Sequence, residues 1–414
     1  MLTPAPAELL EVDVAIVGGG LVGASLAAGL AGTRRRLLLV ESVPFASDTH
    51  PSFDERTTAL GNASRRILEG LGVWPAVAAE AAAIRSIHVS EAGRFGFARL
   101  RAAEQGIDAF GHVVANRSLG AALWQRLAAA PNLLLEVPGR VEDLTVSAEV
   151  VRFTAVSDSG ARRQVAARLV VGADGAQSQI RAAAGIAAEV EDYGQVAVVA
   201  TVLAEGAPAD CAYERFTAAG PLAVLPMPGG RLAVIWACRP ERAQQLLALS
   251  EPAYLAQLQG EFGWRAGRFA RAGRRGAYPL KLTRATTTTA QRVVLIGNAA
   301  QALHPVAGQG FNLGLRDAAM LAEVIAAAPG DAGAPQLLRR FEGWRARDRA
   351  AVVRFTDSLV RLFADRRPGV ALLRNLGLLL FDLTPPAKGA LARVASGFGG
   401  PSPRLARGLP LRDV

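Results

Sequence analysis

The 414-residue chain is long enough for two or three domains, and its 51% hydrophobic and 20% charged residues are typical of a globular protein. Its formal net charge of +10 is compatible with nucleic-acid binding, but the arginines are spread along the whole chain. We therefore expect no nucleic-acid partner and favour contact with an anionic membrane surface.

A nucleotide-binding pattern begins at Val12–Val17, an apolar run that predicts a central parallel strand. The run leads into a GxGxxG sequence with its glycines at Gly18, Gly20 and Gly23, and Ala24–Leu30 continues as a helix of small residues. The first glycine permits a tight turn, and the second lets a pyrophosphate approach the backbone. The third lets the helix pack closely on the strand.

Arg36–Val40 predicts the second strand, and Glu41 follows it directly. In dinucleotide-binding folds an acid at this place binds the ribose hydroxyls. A lone GxGxxG can be a packing turn. Strand, glycines, helix, strand and acid in this order instead predict a dinucleotide site, for FAD or NAD rather than NADP.

Short helices and strands follow. Ser64–Leu71 and Ser118–Leu127 predict helices, and Ile84–Val89 predicts a strand. Arg56 lies in a polar stretch, where it could simply be a solvated charge, and Arg117 stands at the start of the second helix.

A second candidate nucleotide loop lies in mid-chain. Arg168–Gly172 predicts a buried strand, which ends at Asp174-Gly175 before a short helix over Gln179–Ala184. An Asp-Gly pair is a common turn, but its place between a strand and a helix keeps a nucleotide role open.

The next segment alternates like an antiparallel sheet over Gln195–Val202 and from Cys211 to Ala237, and it returns as a strand at Ala277–Leu282. Helices are predicted over Glu241–Leu249 and Glu251–Phe262. Parallel-type strands thus come early and late, which indicates a nucleotide domain interrupted by a substrate-side sheet.

Residues 292–317 are unusually rich in glycine and polar residues. They comprise a buried strand at Val293–Ile296, Gly297-Asn298, His304-Pro305 and Gly308-Gln309-Gly310, followed by a helix that runs to about Ala327. Backbone amides at such a helix start suit an anion or an electron-rich ring edge.

The C-terminal part is predicted to be helical. Gln336–Phe363 predicts a long helix, and Gly369–Phe381 is apolar except for Arg374 and Asn375. The latter segment suits either a buried helix or one lying in a membrane interface. Residues 397–414 are rich in proline, glycine and arginine, and we expect a mobile basic tail.

The remaining composition gives no indication of a metal site. Cys211 and Cys238 form no CxxC pair, and the four histidines do not cluster. No run reaches the ~20 apolar residues of a membrane-spanning helix. With no signal peptide recognised, these features predict a protein of the reducing cytoplasm.

Three motifs together resemble one family, the single-component FAD-dependent aromatic hydroxylases. They are the early GxGxxG, the DG motif of residues 172–181 and the motif of residues 297–305, and their order and spacing agree to about residue 365. DERTTAL (54–60), GPLAVLPMPGGR (220–231) and GNAAQALHPVAGQGFNLGLRD (297–317) further resemble the ubiquinone-biosynthesis group. Asn298 stands where the wider family has Asp, a feature of the branch resembling 2-polyprenyl-6-methoxyphenol hydroxylase.

The resemblance implies an α/β fold. A Rossmann-like FAD-binding domain with three layers and a mostly parallel sheet would comprise residues 1–75, 101–185 and 283–330. An interleaved antiparallel-sheet domain would bind substrate through residues 76–100 and 186–282. Residues 331–396 would form C-terminal helices and residues 397–414 the tail.

The resemblance also implies roles for single residues. Glu41 would bind the adenosine ribose, Arg56 and Arg117 would lie near the FAD sugar or phosphates, and Asp174 would support the pyrophosphate. With the three fingerprint glycines, these residues form the adenosine and phosphate side of the expected cofactor site.

On the ring side, Asn298 would meet the ribityl chain and Pro305 would lie beside the isoalloxazine. The backbone amides that would face the pyrimidine edge belong to Gly308, Gln309, Gly310, Phe311 and Asn312. Reduced flavin is negatively charged there, and helix-start amides stabilise such charge. No catalytic residue is predicted, since the position of His304 favours a part in the flavin turn.

The implied reaction hydroxylates a polyprenylated phenol in ubiquinone biosynthesis. NAD(P)H reduces FAD, O2 forms a flavin C4a-hydroperoxide, and its distal oxygen is transferred to the ring. Other ubiquinone-biosynthesis proteins and the inner face of the membrane are further expected partners. Three alternatives stay open: a sibling hydroxylase for another ring position or aromatic, a flavin-dependent prenyl reductase, and a non-catalytic FAD-holding assembly subunit.

Overall fold

The structure of the chain is a computed structural model, and it describes residues 9–45, 56–365, 367–398 and 400–412. The strands are β1 (Leu10–Val17), β2 (Leu37–Val40), β3 (Thr57–Gly61), β4 (Ala82–Ile84), β5 (Ser86–Glu91), β6 (Phe97–Arg101), β7 (Gly111–Ala115), β8 (Leu133–Glu136), β9 (Gly139–Val146), β10 (Val151–Ser157), β11 (Arg162–Gly172), β12 (Ala188–Glu205), β13 (Cys211–Phe216), β14 (Pro221–Pro226), β15 (Arg231–Cys238), β16 (Arg268–Ala285), β17 (Thr289–Ala290), β18 (Val293–Leu295) and β19 (Gln301–Ala302).

The α-helices are α1 (Leu21–Leu30), α2 (Asn62–Gly70), α3 (Trp74–Val77), α4 (Asn116–Ala128), α5 (Gln179–Ala183), α6 (Pro240–Ala248), α7 (Glu251–Phe262), α8 (Gln309–Ala326), α9 (Pro335–Ala364), α10 (Pro368–Asp382) and α11 (Pro385–Ala395). Asp54 and Glu55, which open the DERTTAL segment, lie outside the described residues.

The first sheet has the strand order β17-β18-β11-β1-β2-β8, and its strands from β18 to β8 run parallel. β1 is apolar at nearly every position because both of its faces are covered. Val14 and Ile16 pack with residues of α1, α4 and α8, whereas Val12 and Ala15 pack with β10. The predicted mostly parallel, layered α/β arrangement is confirmed.

The second sheet has the order β19-β16-β12-β15-β14-β13-β5-β6. Its pairs are antiparallel except β13 with β5. Residues of α6 and α7 cover one face around Trp236. On the other face Ala212 packs with Val113, and Phe216 packs with Val306. This second face is therefore turned toward the residues of the predicted cofactor site.

The sheets cross the predicted domain limits. The second sheet extends to Ala285 and takes in β19, both within the segment expected in the FAD-binding domain. β3, β7 and β4 form a separate three-stranded sheet that the sequence analysis did not anticipate. The exact division into domains stays a prediction.

The C-terminal region is helical, as expected, and α10 is fixed by polar contacts. Arg374 Nε lies 3.0 Å from Glu91 Oε2, and Asn375 Oδ1 accepts a hydrogen bond of 2.9 Å from the amide of Gly96. The two polar residues that interrupt the apolar run therefore face inward. No helix within the described residues is both long and apolar enough to cross a bilayer.

Part of the C-terminal segment packs on the main core. Leu405 and Ala406 are buried, and Leu405 lies against Gly70 at the end of α2. The amide of Arg404 donates a hydrogen bond of 2.6 Å to Glu323 Oε2. This packing differs from the mobile tail predicted for residues 397–414. The prediction rested on the proline, glycine and arginine content, whereas the apolar turn at Leu405 and Ala406 packs on α2.

Candidate functional site

The N-terminal glycine loop is tightly packed where β1 meets α1. Gly18 has φ +104°, and a Cβ at this residue would lie 2.5 Å from the carbonyl oxygen of Ala173. A Cβ at Gly23 would lie 1.9 Å from the carbonyl oxygen of Gly18. Neither position accepts a side chain without displacing backbone. No side chain of the described residues caps the first turn of α1 after Gly20, so its amides can bind an anion.

Glu41 is held against this loop. Its Oε2 accepts a hydrogen bond of 2.5 Å from the amide of Gly19, and its Oε1 accepts one of 2.9 Å from the amide of Val43. The carboxylate is buried at the end of β2. The arrangement places it where it could bind ribose hydroxyls beside the glycine turn.

Trp124 on α4 is a site residue that the sequence analysis missed. Its Cζ2 lies 2.8 Å from the position of a Cβ on Gly19, and its ring stacks on Phe45 with centroids 6.3 Å apart. Its Nε1 is buried without a hydrogen-bond partner in the described part of the chain. A buried N–H without an acceptor is costly, so it indicates that a ligand supplies the acceptor. The sequence feature that could have identified Trp124 is its spacing, since it lies two turns beyond Arg117 on the same face of α4.

Asp174 has a structural task in the mid-chain loop. Its Oδ1 accepts a hydrogen bond of 2.5 Å from Ser178 Oγ, and its Oδ2 accepts one of 3.1 Å from the amide of Ile180. The carboxylate thus fixes the start of α5. The backbone of Ala173 and Asp174 lies directly against Gly18, so the two predicted nucleotide loops are in contact.

Arg56 and Arg117 come together because β3 pairs with β7. The amide of Asn116 donates a hydrogen bond of 2.9 Å to the carbonyl of Arg56. The Arg56 guanidinium lies 4.5 Å from the ring centroid of Tyr278 on β16, a cation–π contact. Arg117 is exposed at the start of α4. Both cations lie near the junction with the second sheet.

The late glycine-rich stretch returns to the fingerprint helix. A Cβ on Gly297, whose φ is +58°, would lie 3.1 Å from both methyl carbons of Val22. A Cβ on Gly314 would lie 2.8 Å from Val22 Cγ2. Asn298 and Pro305 are exposed, so both side chains can be reached by a ligand at this end of the site.

The start of α8 is fixed by the side chain of Asn312. Its Oδ1 accepts hydrogen bonds from the amide of Gly61 (2.8 Å) and from Ser64 Oγ (2.6 Å). Its Nδ2 donates to the carbonyls of Ala59 and Gly308, each at 2.7 Å. Asn312 can therefore offer a ligand only its backbone.

The first turn of α8 is open to a ligand. Gly308 has φ +61°, and no side chain of the described residues caps the amides that follow it. Gln309, Gly310 and Phe311 form this turn, and Gln309 Nε2 donates to the carbonyl of Ala307 at 3.1 Å. The free amides and the helix dipole suit negative charge on a ring edge.

His304 is a neutral residue of the turn. Its Nδ1 accepts a hydrogen bond of 3.1 Å from the amide of Val306, which leaves Nε2 to donate to Gln195 Oε1 at 3.2 Å. Burial lowers the pKa of His304 to about 4. Because both ring nitrogens are engaged within the fold, the geometry supports a structural role rather than acid–base catalysis.

These elements have the features that FAD requires. The glycine loop leaves no room for side chains, Glu41 stands at the turn, and Trp124 has a donor without an acceptor. Helix α8 also packs on α1, because Gly314 of α8 lies against Val22 of α1. A long dinucleotide could therefore have its phosphates at α1 and its ring at α8.

Comparison with known proteins agrees with this geometry. The FAD binding domain family model matches residues 11–356. The chain is 40% identical to the ubiquinone hydroxylase UbiL of Rhodospirillum rubrum, over 96% of this chain and 93% of that protein. It is 33% identical to the 3-demethoxyubiquinol 3-hydroxylase of Escherichia coli, over 93% and 98%. Its fold resembles that of the p-nitrophenol 4-monooxygenase PnpA of Pseudomonas putida, with a TM-score of 0.78 at 20% identity, over 95% and 99% of the two chains.

Proposed function

The chain belongs to the FAD-binding-domain family, and on that premise we propose that it hydroxylates a polyprenylated phenol in ubiquinone biosynthesis. FAD is the cofactor, NAD(P)H the reductant and O2 the oxidant. The observation that carries this proposal is the 40% identity to a ubiquinone hydroxylase over 96% of the chain.

Bound FAD supplies the redox chemistry of the reaction. The amides of the glycine loop and of the first turn of α1 bind its pyrophosphate, and Glu41 binds the adenosine ribose. Trp124 adds a hydrogen-bond donor on the same side. At the ring end, the amides at the start of α8 stabilise negative charge on the pyrimidine edge.

The substrate lies on the face of the second sheet that is turned away from α6 and α7. Ala223 is directly opposite Ile235, and Ile235 is directly opposite Val199, so their side chains share one face. All three are partly exposed. An apolar platform of this kind suits an aromatic ring with a prenyl chain and keeps water from the reacting groups.

A sibling activity at another ring position is the second candidate. The observation that favours it is the 33% identity to the 3-demethoxyubiquinol 3-hydroxylase of Escherichia coli over 93% of this chain. The apolar platform does not define which ring carbon faces the flavin. The position of the new hydroxyl must therefore be measured.

The proposal is tested by following NADH and NADPH oxidation with a panel of prenylated phenols. Flavin absorbance of the purified protein, hydroxylated product and hydrogen peroxide are measured together. We expect bound flavin and product formation that matches reductant consumption for at least one phenol. Bound flavin without product for any phenol would instead support the non-catalytic assembly subunit, and product at another ring carbon would support the sibling activity.

The protein also contacts the cytoplasmic, inner face of the membrane through α10. Five exposed leucines lie within one 100° sector of this helix and its C-terminal end: Leu372, Leu373, Leu376, Leu380 and Leu383. The opposite side carries the inward contacts of Arg374 and Asn375. Such a helix can lie in the membrane interface while its polar side packs on the rest of the protein. This position would give the protein access to a substrate with low solubility in water.

A further inference from the structure

The carboxylate of Glu214 stands on the apolar platform. It lies on β13 directly opposite Ala223 of β14 and Val89 of β5. Its neighbours point to the other face: Tyr213 packs edge-on against Phe262 of α7. Because side chains alternate along a strand, Glu214 points away from α6 and α7.

The late stretch of the chain lies over this carboxylate. Two residues farther along β13, Phe216 packs with Val306 and stacks on Phe363. The backbone amide of Ala307 forms a hydrogen bond with the Glu214 carboxyl. Ala307 has φ +60° and directly precedes Gly308, the residue before α8. Glu214 is thus placed between the platform and the helix start that is proposed to hold the flavin ring.

The carboxyl has an unsatisfied acceptor. Glu214 Oε1 is buried without a hydrogen-bond partner in the described part of the chain. Burial raises the pKa of Glu214 to about 7, while the Ala307 amide opposes the shift. The directly opposite residues, Val89 and Ala223, carry no charge.

Titratable groups of the late stretch, β12 and β5 also lie on this side, and they are engaged elsewhere. His304 is neutral and donates to Gln195, and Tyr193 donates to Asp357 Oδ1 at 3.3 Å. Glu91 of β5, opposite Phe216, accepts a hydrogen bond of 3.0 Å from Arg374 Nε. A buried carboxylate with a purely structural task would have donors within the fold for both of its oxygens. The free Oε1 therefore indicates a donor that comes from outside the chain.

We propose that Glu214 is the general base of the hydroxylation and accepts the proton of the substrate phenol. The phenol O–H bond breaks, an O–H bond forms on the carboxylate, and the electron pair stays on the phenolate oxygen. The ring carbons that receive oxygen become more electron-rich. This step exchanges no electrons with the flavin, and it rests on the proposed function.

The test uses FAD-loaded enzyme with saturating NAD(P)H, O2 and a prenylated phenol that the wild type hydroxylates. The rate of product formation is recorded as a function of pH for the wild type, Glu214→Gln and Glu205→Gln. Glu205 is an exposed carboxylate of the same sheet that pairs with Arg268, so it is a matched control. Flavin absorbance and circular dichroism verify that each variant is folded.

We expect the rate of hydroxylation by the wild type and Glu205→Gln to rise with pH to a plateau, because only the ionised Glu214 carboxylate can accept the phenol proton. Glu214→Gln should lose this rise, because an amide cannot accept the proton. Its rate of hydroxylation should fall by roughly 10²-fold, the size of a general-base contribution, with more hydrogen peroxide released. Glu214→Asp should restore part of the rate and of its dependence on pH.

A pH profile of the rate that is unchanged in Glu214→Gln, or a wild-type rate that does not depend on pH, would overturn the assignment. If Glu214→Gln does not fold, the wild-type pH profile and Glu214→Asp decide between these outcomes. Wild-type enzyme that hydroxylates no phenol would count against the proposed function itself. Active wild type with an equally active Glu214→Gln would count only against Glu214.

Discussion

Arg345 and Asp317 are both fully buried, and they form an ion pair with 2.6 Å between Nε and Oδ1. Asp317 also accepts a hydrogen bond of 2.8 Å from Gln301 Nε2, and Arg345 is paired with Asp348 at 2.5 Å. The pair therefore connects α9 to α8 and to β19, directly behind the late glycine-rich stretch.

Replacing Asp317 by Ala should lower the free energy of unfolding by about 3–5 kcal/mol, because it removes one of the two carboxylates paired with the buried Arg345 and leaves Gln301 Nε2 without its acceptor. Urea denaturation measures the change. The matched variant Glu205→Ala breaks an exposed pair with Arg268 and should cost less than about 1 kcal/mol. An equal loss of unfolding free energy in the two variants would show that burial does not increase the contribution of the Asp317 pair to stability.

Replacing Gly23 by Ala should abolish FAD binding, because the new methyl group would lie 1.9 Å from the carbonyl oxygen of Gly18 and push α1 away from the loop. Flavin retained after gel filtration is the measurement. Gly260 lies within α7 with open space around it. Gly260→Ala should therefore retain flavin and gain about 0.5–1 kcal/mol of stability. Flavin retention in Gly23→Ala would contradict the tight loop.

Replacing Trp124 by Phe should weaken FAD binding about tenfold, the effect of losing one hydrogen bond. The aromatic contact with Phe45 is kept, and removal of an unpaired N–H should leave the stability of the FAD-free protein the same or higher. Titration with FAD, followed by flavin fluorescence, gives the dissociation constant. Trp264→Phe is the control, since Trp264 is 69% exposed. An unaltered constant in Trp124→Phe would show that the ligand makes no bond to this N–H.

The stability of the protein should fall in mild acid through His304. Burial holds the pKa of folded His304 at about 4, below its ordinary value of 6.5, so the unfolded chain binds a proton first as the pH falls. The stabilisation that neutral His304 provides is complete above about pH 6.5. It is lost toward pH 4, which lowers the free energy of unfolding by up to about 3 kcal/mol. His304→Asn should lose less stability than the wild type between pH 7 and 5 in urea denaturation. Parallel pH profiles for the two proteins would argue against this histidine as the source.

Replacing Leu373 and Leu380 together by Ser should reduce binding to vesicles that contain anionic lipid. These side chains are 71% and 65% exposed on α10, so folding should be unaffected while apolar contact with the interface is lost. Co-sedimentation with vesicles measures the bound fraction. Trp264→Ser removes an exposed apolar residue far from α10 in sequence and should bind like the wild type. No difference between the two variants would exclude α10 as the contact.

The fold could be predicted largely from local patterns. The limits of α7 were predicted as observed, Glu251–Phe262, because Ser250 and Gly263, residue types common at helix ends, flank the segment. β3 was not predicted, since four of its five residues are only partly buried and its partner β7 is remote in sequence. The packing of Leu405 on α2 likewise depends on a long-range contact that composition cannot reveal.

The sequence predicted the site residues that act through their backbone geometry more completely than those that act through side-chain contacts. Gly18 and Gly23 follow from spacing because the turn itself excludes side chains. Three of the four side-chain hydrogen bonds of Asn312 depend on β3 and α2, which meet α8 only in the folded chain. Glu214 belongs to none of the sequence motifs. Its place in the site depends on the hydrogen bond with the Ala307 amide, which is remote in sequence.

The contact of Val22 with Gly297 and Gly314 has a consequence for synthesis of the protein. Translation delivers the fingerprint loop early, yet β11 must emerge before β1 has both neighbours, and α8 must emerge before Val22 is covered. Until then the nascent chain exposes part of its core and has no complete place for a flavin ring. FAD can therefore act as a late ligand that stabilises the finished chain by mass action, and cells short of riboflavin should accumulate less of the protein.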